Sequence, residues 1–226
     1  MKDAKAEILA RIRRGLGESP QTEPLPAPLD PALSVEDLEE AFRKAVEGLG
    51  GSWHAAEDPI QALKAVQSLT EKEEANLCLL SRHPLVERVV NSGPLEISCV
   101  RAGQAADMED LERADIGLAA ATWGAASTGT LILSAADEGT RIASLSPPVS
   151  IVLLPASGLC SDLSEFFDHQ SAETARNSAL TLVSGPSRTG DIELTLSTGV
   201  HGPGVLHVIL CRFQSQTGPA TEQEPL

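Results

Sequence analysis

Three short segments carry residue types that could do chemistry. The first, ASTGTLIL at 126–133, sets small hydroxyl residues and a glycine directly before an apolar run. A backbone this bare lets a ligand come close, and its successive N–H groups can form a nest for an anion. Thr128, Gly129 and Thr130 are the candidate contacts. The same composition also suits a tight turn feeding a buried strand. The second segment is SGPSRTGDIE at 184–193. Gly185 and Pro186 force a bend, Ser187 and Thr189 offer hydroxyls, and Arg188 offers a planar fork for a carboxylate or phosphate. Asp191 and Glu193 are two residues apart, so a strand would put both on one face. They could pair with Arg188, position a cation or hold a base. A solvated loop closed by an internal Arg–Asp pair fits as well. The third segment, GVHGPGVLH at 199–207, fixes an irregular turn with Gly199, Gly202, Pro203 and Gly204. His201 in that turn could act as acid, base or anion donor. His207 lies in the apolar run that follows, with Val205 and Ile209 on its face, and reads as a core histidine. A two-histidine metal site would need further ligands that the sequence does not identify, so no metal is expected.

Elements must position these segments. Residues 4–16 read as an amphipathic helix, with Ile8, Leu9, Ile12 and Leu16 on one face and Gly17 as its stop. Five prolines between 18 and 33 make an extended linker. The main domain then runs over 34–213, and a polar tail over 214–226. Ser34 with Asp37 resembles an N-cap signal for a helix over 35–49, ended by Gly50 and Gly51. Strands are expected at 52–55, 76–81, 95–100, 116–120, 130–134, 149–155, 180–184 and 206–211, and where Ile192, Leu194 and Leu196 alternate the pattern favours one more strand over a short helix. Helices are expected at 59–69, 84–90, 106–113 and 162–168, the last extended by 172–177. Short apolar strands without alternation imply burial on both faces. Strands interleaved with helices give an α/β sheet, parallel at least in part.

Composition narrows the classes. The chain has 226 residues and no tyrosine, with four Phe and two Trp, so aliphatic side chains must fill its core. Net charge is 17 − 32 = −15, which disfavours nucleic acid. The charge is uneven: residues 1–17 carry five basic and two acidic groups, or +3, and the remainder carries 12 − 30 = −18. A lone helix of that length is marginal in water. Docking of the basic arm on an acidic surface, across a homodimer boundary, is therefore expected. No apolar run approaches the ~18 residues of a membrane span. The N-terminus lacks the apolar core of a signal peptide, so a cytoplasmic protein is expected. Cys78, Cys99, Cys160 and Cys211 are far apart without CxxC spacing, which argues against an iron–sulfur cluster on this chain. Cys78, Cys99 and Cys211 lie in apolar runs and read as small buried hydrophobes.

Several signatures are absent: no GxxxxGK[ST], no GxGxxG after a strand and no HExxH. GAASTG at 124–129 misses the nucleophile elbow by one position, and a strand rather than a helix follows it. No cofactor is expected.

In their order, STGTLIL, RIASLSPPVSIVLLP at 141–155, SGPSRTGDIE and GVHGPGVLHVIL resemble the LutC/YkgG family of lactate-utilisation proteins, also called the LUD domain. The opening ILARIRRGLG is similar to the family's first helix. The resemblance spans essentially the whole chain. It implies a NagB/RpiA/CoA-transferase-like α/β sheet flanked by helices. It also implies a part in oxidising L-lactate to pyruvate beside two partners that carry iron–sulfur centres. Two positions depart from the family pattern. Ser127 stands where the family usually carries an acidic residue, and many relatives carry a bulkier or basic residue near Gly204.

Three functions follow. The first is a ligand-binding subunit of a lactate-oxidation system, holding a small anion through Arg188 and the turn amides near 128–130. The second is an interaction protein that recruits partners through its arm, linker and acidic surface. The third is an enzyme with transferase, isomerase or ligase chemistry on a CoA ester or sugar phosphate. There His201 would be the acid/base, with Asp191 or Glu193 orienting it or acting directly.

Overall fold

A computed structural model describes residues 4–16, 35–103, 108–135, 140–174, 179–190, 196–198 and 202–213. The chain divides into two units, Met1–Asp30 and Pro31–Leu226. The first holds helix α1 (Ala4–Leu16), on which Ile8 and Leu9 are exposed.

The second unit runs α2 (Val35–Gly48), β1 (Ser52–Ala56), α3 (Pro59–Lys72), β2 (Leu77–Leu80), α4 (Pro84–Val90), β3 (Ser98–Arg101), α5 (Met108–Arg113), β4 (Ile116–Ala120), β5 (Trp123–Ala125), β6 (Thr130–Ser134), α6 (Thr140–Leu145), β7 (Val149–Pro155), β8 (Leu159–Cys160), α7 (Leu163–Thr174), β9 (Leu180–Val183), β10 (Arg188–Gly190), β11 (Leu196–Thr198) and β12 (Val205–Cys211). Six strands form one sheet in the order β1-β12-β7-β4-β2-β3. Every pairing in it is parallel. The expected α/β architecture, a parallel sheet flanked by helices, is the one observed.

Alternation along the buried strands sorts the core. Ile116 and Leu118 of β4, Ile151 and Leu153 of β7, and Ile209 of β12 pack on one face with Leu63 and Val66 of α3 and Leu85 and Val86 of α4. Ala119, Val152, Leu154, Val208 and Leu210 pack on the other with Phe42 and Val46 of α2 and Ala143 of α6. The helices begin where local chemistry provides a cap. Asp58 accepts the Gln61 N–H at 2.8 Å ahead of Pro59, and His83 Nδ1 accepts the Leu85 N–H at 3.0 Å ahead of Pro84.

A second sheet, β8-β5-β6-β9, departs from the single sheet read from sequence. Leu131 and Leu133 of β6 face the α2 side of the core, while Ile132 faces Phe166 of α7. The strands at 130–134 and 180–184 therefore belong to a smaller layer between the main sheet and α7. A third pairing joins β10 to β11 antiparallel. Ser34 of the N-cap reading, and residues 192 and 194 of the alternating strand, lie outside the described residues. Among the described residues no helix is long and apolar enough to cross a membrane.

Candidate functional site

The C-terminal turn of α2 is where the separate segments meet. Gly50 takes φ +88°, its N–H donates to Glu47 O at 2.9 Å, and the Gly51 N–H donates to Val46 O at 2.9 Å. This double return is a Schellman ending, which needs a glycine in the left-handed position. Leu49 O at this helix end accepts from Arg188 Nη2 at 2.9 Å. A guanidinium is well placed against the negative end of a helix. It carries several N–H donors, so this one bond does not exhaust it.

Two more segments lie against the same turn. Gly129 has φ +60°, and a Cβ there would fall 2.9 Å from Ala45 C and Val46 N. Gly185 has φ +88°, and a Cβ there would fall 2.9 Å from Leu49 Cβ. Both glycines are thus required by close packing on α2. Hydroxyls join the segments: Thr128 Oγ1 lies 2.7 Å from Thr130 Oγ1, which lies 2.8 Å from Ser184 Oγ. Thr128 and Ser184 are exposed and Thr130 is buried, so the chain runs between two surface points through the interior. Ser187 N–H donates to Pro203 O at 2.8 Å, and Gly202 faces the Ser187 side chain.

Thr128, Gly185, Ser187, Arg188 and Gly202 therefore gather about this turn, with Gly129 and Thr130 buried among them. Thr189 follows in β10, and nothing is described of its side chain. His201, Asp191 and Glu193 lie outside the described residues. Ser127 is exposed, and its N–H is taken by Ser161 O at 2.9 Å. Among the described residues no group of three or more His, Cys, Asp or Glu side chains is arranged to hold a metal ion.

The surface has an unexpected place in the fold. The Gly204 N–H donates to Pro148 O at 2.9 Å, just before β12 and β7 begin. The segments thus gather at the amino ends of the parallel strands. The rule that ligands gather beyond carboxyl ends applies to the opposite side. There the chain turns outward from β2 to β3 and inward from β4 to β7, which makes the ends of β2 and β4 the switch point. Ser81 lies at that end, fully buried, and its Oγ finds no hydrogen-bond partner among the described residues. Sequence reading gave Ser81 no role, since a serine closing an apolar strand is unremarkable without the strand order.

Two histidines lie on the α3 face of the sheet. His207 is buried, as its place between Val205 and Ile209 implied, and its Nε2 lies 3.3 Å from Glu73 Oε1. A carboxylate only accepts, so the proton sits on Nε2. The His54 ring lies 5.9 Å from that of His207. Burial pushes both imidazoles below their ordinary 6.5; Lys72 adds to this at both, whereas Glu73 opposes it at His207. The unfolded chain therefore takes up these protons first as pH falls. Their contribution is complete above about pH 6.5 and is lost as pH drops through the depressed values. Melting temperature is expected to fall as pH drops below about 6.5, and to fall less steeply in His207→Gln; equal slopes would refute the assignment.

A family model described as LUD domain matches residues 39–211. The chain is 38% identical over 111 residues to uncharacterized protein NMB1437 of Neisseria meningitidis serogroup B, a match spanning 49% of this chain and 47%, about half, of that protein. It is 29% identical over 215 residues to a protein called lactate utilization protein C from Deinococcus radiodurans, spanning 92% of this chain and 95% of that one. A crystal structure of a DUF162 family protein from the same organism superposes with a TM-score of 0.63 at 20% identity, covering 80% of this chain and 99% of the other. At that identity the likeness concerns the fold.

Proposed function

The chain belongs to the LUD domain family, and from that membership we propose that it serves lactate utilisation as the non-cluster subunit of a system oxidising L-lactate to pyruvate. Relatives called lactate utilization protein C support that role. Iron–sulfur partner proteins would carry the electrons. The four cysteines support this division, because they lack cluster spacing and Cys78, Cys160 and Cys211 are buried.

The proposed ligand is a small carboxylate of the lactate or pyruvate kind, held beside the end of α2. The observation that carries this is the hydroxyl chain Thr128–Thr130–Ser184 on the same surface as the Arg188 guanidinium. Arg188 would pair with the carboxylate, and the hydroxyls would meet the remaining oxygens. Calorimetry with L-lactate and pyruvate tests it. Arg188→Ala is expected to weaken binding about 10- to 100-fold, the worth of a charge-assisted hydrogen bond. Absence of binding to the parent chain, or equal binding to the variant, would sink the site.

The unpartnered Ser81 hydroxyl favours a second position, at the switch point. Binding lost in Ser81→Ala and kept in Arg188→Ala would move the ligand there. In the same reading, the basic arm docks on the acidic surface of a second copy. Removing residues 1–30 should then lower the mass read by light scattering, and an unchanged mass counts against the arm contact.

A further inference from the structure

We propose that Cys78 and Cys99 form a reversible intramolecular disulfide when the protein meets a hydroperoxide. The two residues are direct register partners on the parallel strands β2 and β3. Paired residues of adjacent strands project to the same face. Strands of a sheet lie about 4.8 Å apart, inside the roughly 4.4–6.8 Å over which two α-carbons can be bridged. Cys78 lies on the next strand in from the edge, and Cys99 lies on the outermost strand of the sheet, since among the described residues β3 pairs with β2 alone. That strand has a single row of neighbours to disturb, so it can make the small approach a bridge requires.

The two thiols differ in a way that assigns their roles. Cys99 is exposed, contrary to the buried position read from its apolar run, because an edge strand leaves it uncovered. Cys78 is fully buried. The neighbouring Cys78 thiol holds Cys99 below the ordinary thiol value of 9.0, with Arg101 contributing, while Cys78 itself is pushed well up by Cys99 and by burial. Arg101, two residues along on the same strand, also pairs with Glu87. Cys99 is thus the attacking group and Cys78 the resolving one.

The steps balance as follows. The Cys99 thiolate attacks one peroxide oxygen, the O–O bond breaks, and the leaving oxygen departs as hydroxide or alkoxide, giving a sulfenic acid. The Cys78 sulfur attacks the Cys99 sulfur, the S–O bond breaks, and the hydroxyl leaves with the Cys78 proton as water. Two thiols are oxidised by two electrons in all, and the peroxide oxygens are reduced. A dithiol reductant reverses the bridge by exchange. Cys160 and Cys211 are buried, and burial pushes their thiols up to about 12, so they serve as internal controls.

The test uses the full chain, hydrogen peroxide and alkylation before tryptic mapping. Cleavage after Lys72, Arg82, Arg88 and Arg101 places Cys78 and Cys99 on separate peptides. Expected is a cross-linked pair of these peptides, an intact mass lower by about 2 Da, and recovery with dithiothreitol. Cys99 should lose alkylation at least about tenfold faster than Cys160. Cys99→Ala should leave Cys78 reduced; Cys78→Ala should stop at a sulfenic acid trapped by dimedone. Cys99 oxidised further or bridged between molecules, with Cys78 still open to alkylation, overturns the proposal. Should Cys78→Ala fail to fold, the parent map and Cys99→Ala decide it.

Discussion

Gly117→Ala is expected to lower the melting temperature by about 6–12 °C, as a loss of about 3 kcal/mol does in a domain of this size. Gly117 lies mid-strand in β4, paired with Leu79 of β2 and Ser150 of β7. A Cβ built on it would fall 1.6 Å from the Ala143 carbonyl oxygen and 2.7 Å from its carbonyl carbon. Ala143 is fully buried on α6, which rests on this strand. Both partners in the clash are backbone. Neither can rotate away as a side chain can, and moving β4 would disturb a ladder on each side. The absent methyl is what lets α6 lie flat on the sheet. Gly93→Ala supplies the contrast, because its Cβ would meet only the flexible end of Leu63 at 3.1 Å. It should melt within about 2 °C of the parent. If Gly117→Ala melts as high, α6 does not lie where it is placed.

Gly117 also marks the limit of what the sequence tells. Its strand, IGLAA, was legible because a strand buried on both faces must be apolar throughout, and VSIVLLP of β7 announced itself the same way. The contact with Ala143 was not legible, since nothing in a strand pattern says which helix will cover it. Other misses share that cause. WGA of β5 and LC of β8 are three and two residues long, too short for any period, and exist because β6 and each other offer pairing. TRIASL of α6 is under two turns and has no apolar stripe to read. EISCV looked buried because its composition is that of a core strand; its edge position depends on the order of six strands.

The site divides in the same way. Turn chemistry marked Gly50, Gly129 and Gly185, and all three take positive φ. What each glycine serves was hidden. Arg188 was read as a fork for a ligand, and it also caps a helix end 139 positions earlier in the chain. The segments at 126–133 and 184–193 were weighed separately as binding loops. The hydrogen bond between Thr130 and Ser184 joins the start of one to the other, and that bond spans 54 positions. Local spacing names candidates, whereas their convergence is a property of topology.

Gly129→Ala should separate packing from binding at that surface. The substitution meets two costs. An L side chain in the left-handed region loses about 1–2 kcal/mol, and the new methyl presses on the helix backbone at Ala45 and Val46. Together they are expected to remove about 2–4 kcal/mol. Unlike Gly117, Gly129 lies in a turn, so the strain can be relieved by lifting residues 126–129 away from α2. That movement would carry Thr128 off Thr130 and break the hydroxyl chain at its exposed end. Affinity for L-lactate or pyruvate should therefore fall at least about tenfold even at temperatures where the variant remains folded, the worth of one or two hydrogen bonds. Thr130→Val is the companion variant. It removes the central hydroxyl with nearly the same shape, and Thr128 and Ser184 can turn to solvent, so its stability loss should stay near 1 kcal/mol. Both variants should lose affinity, while Gly129→Ala alone should lose several degrees of melting temperature. A Gly129→Ala protein that melts with the parent would mean the turn does not rest on α2. Unchanged affinity in Thr130→Val would detach the hydroxyl chain from the ligand and leave Thr130 the plainer task of tying β6 to the end of β9.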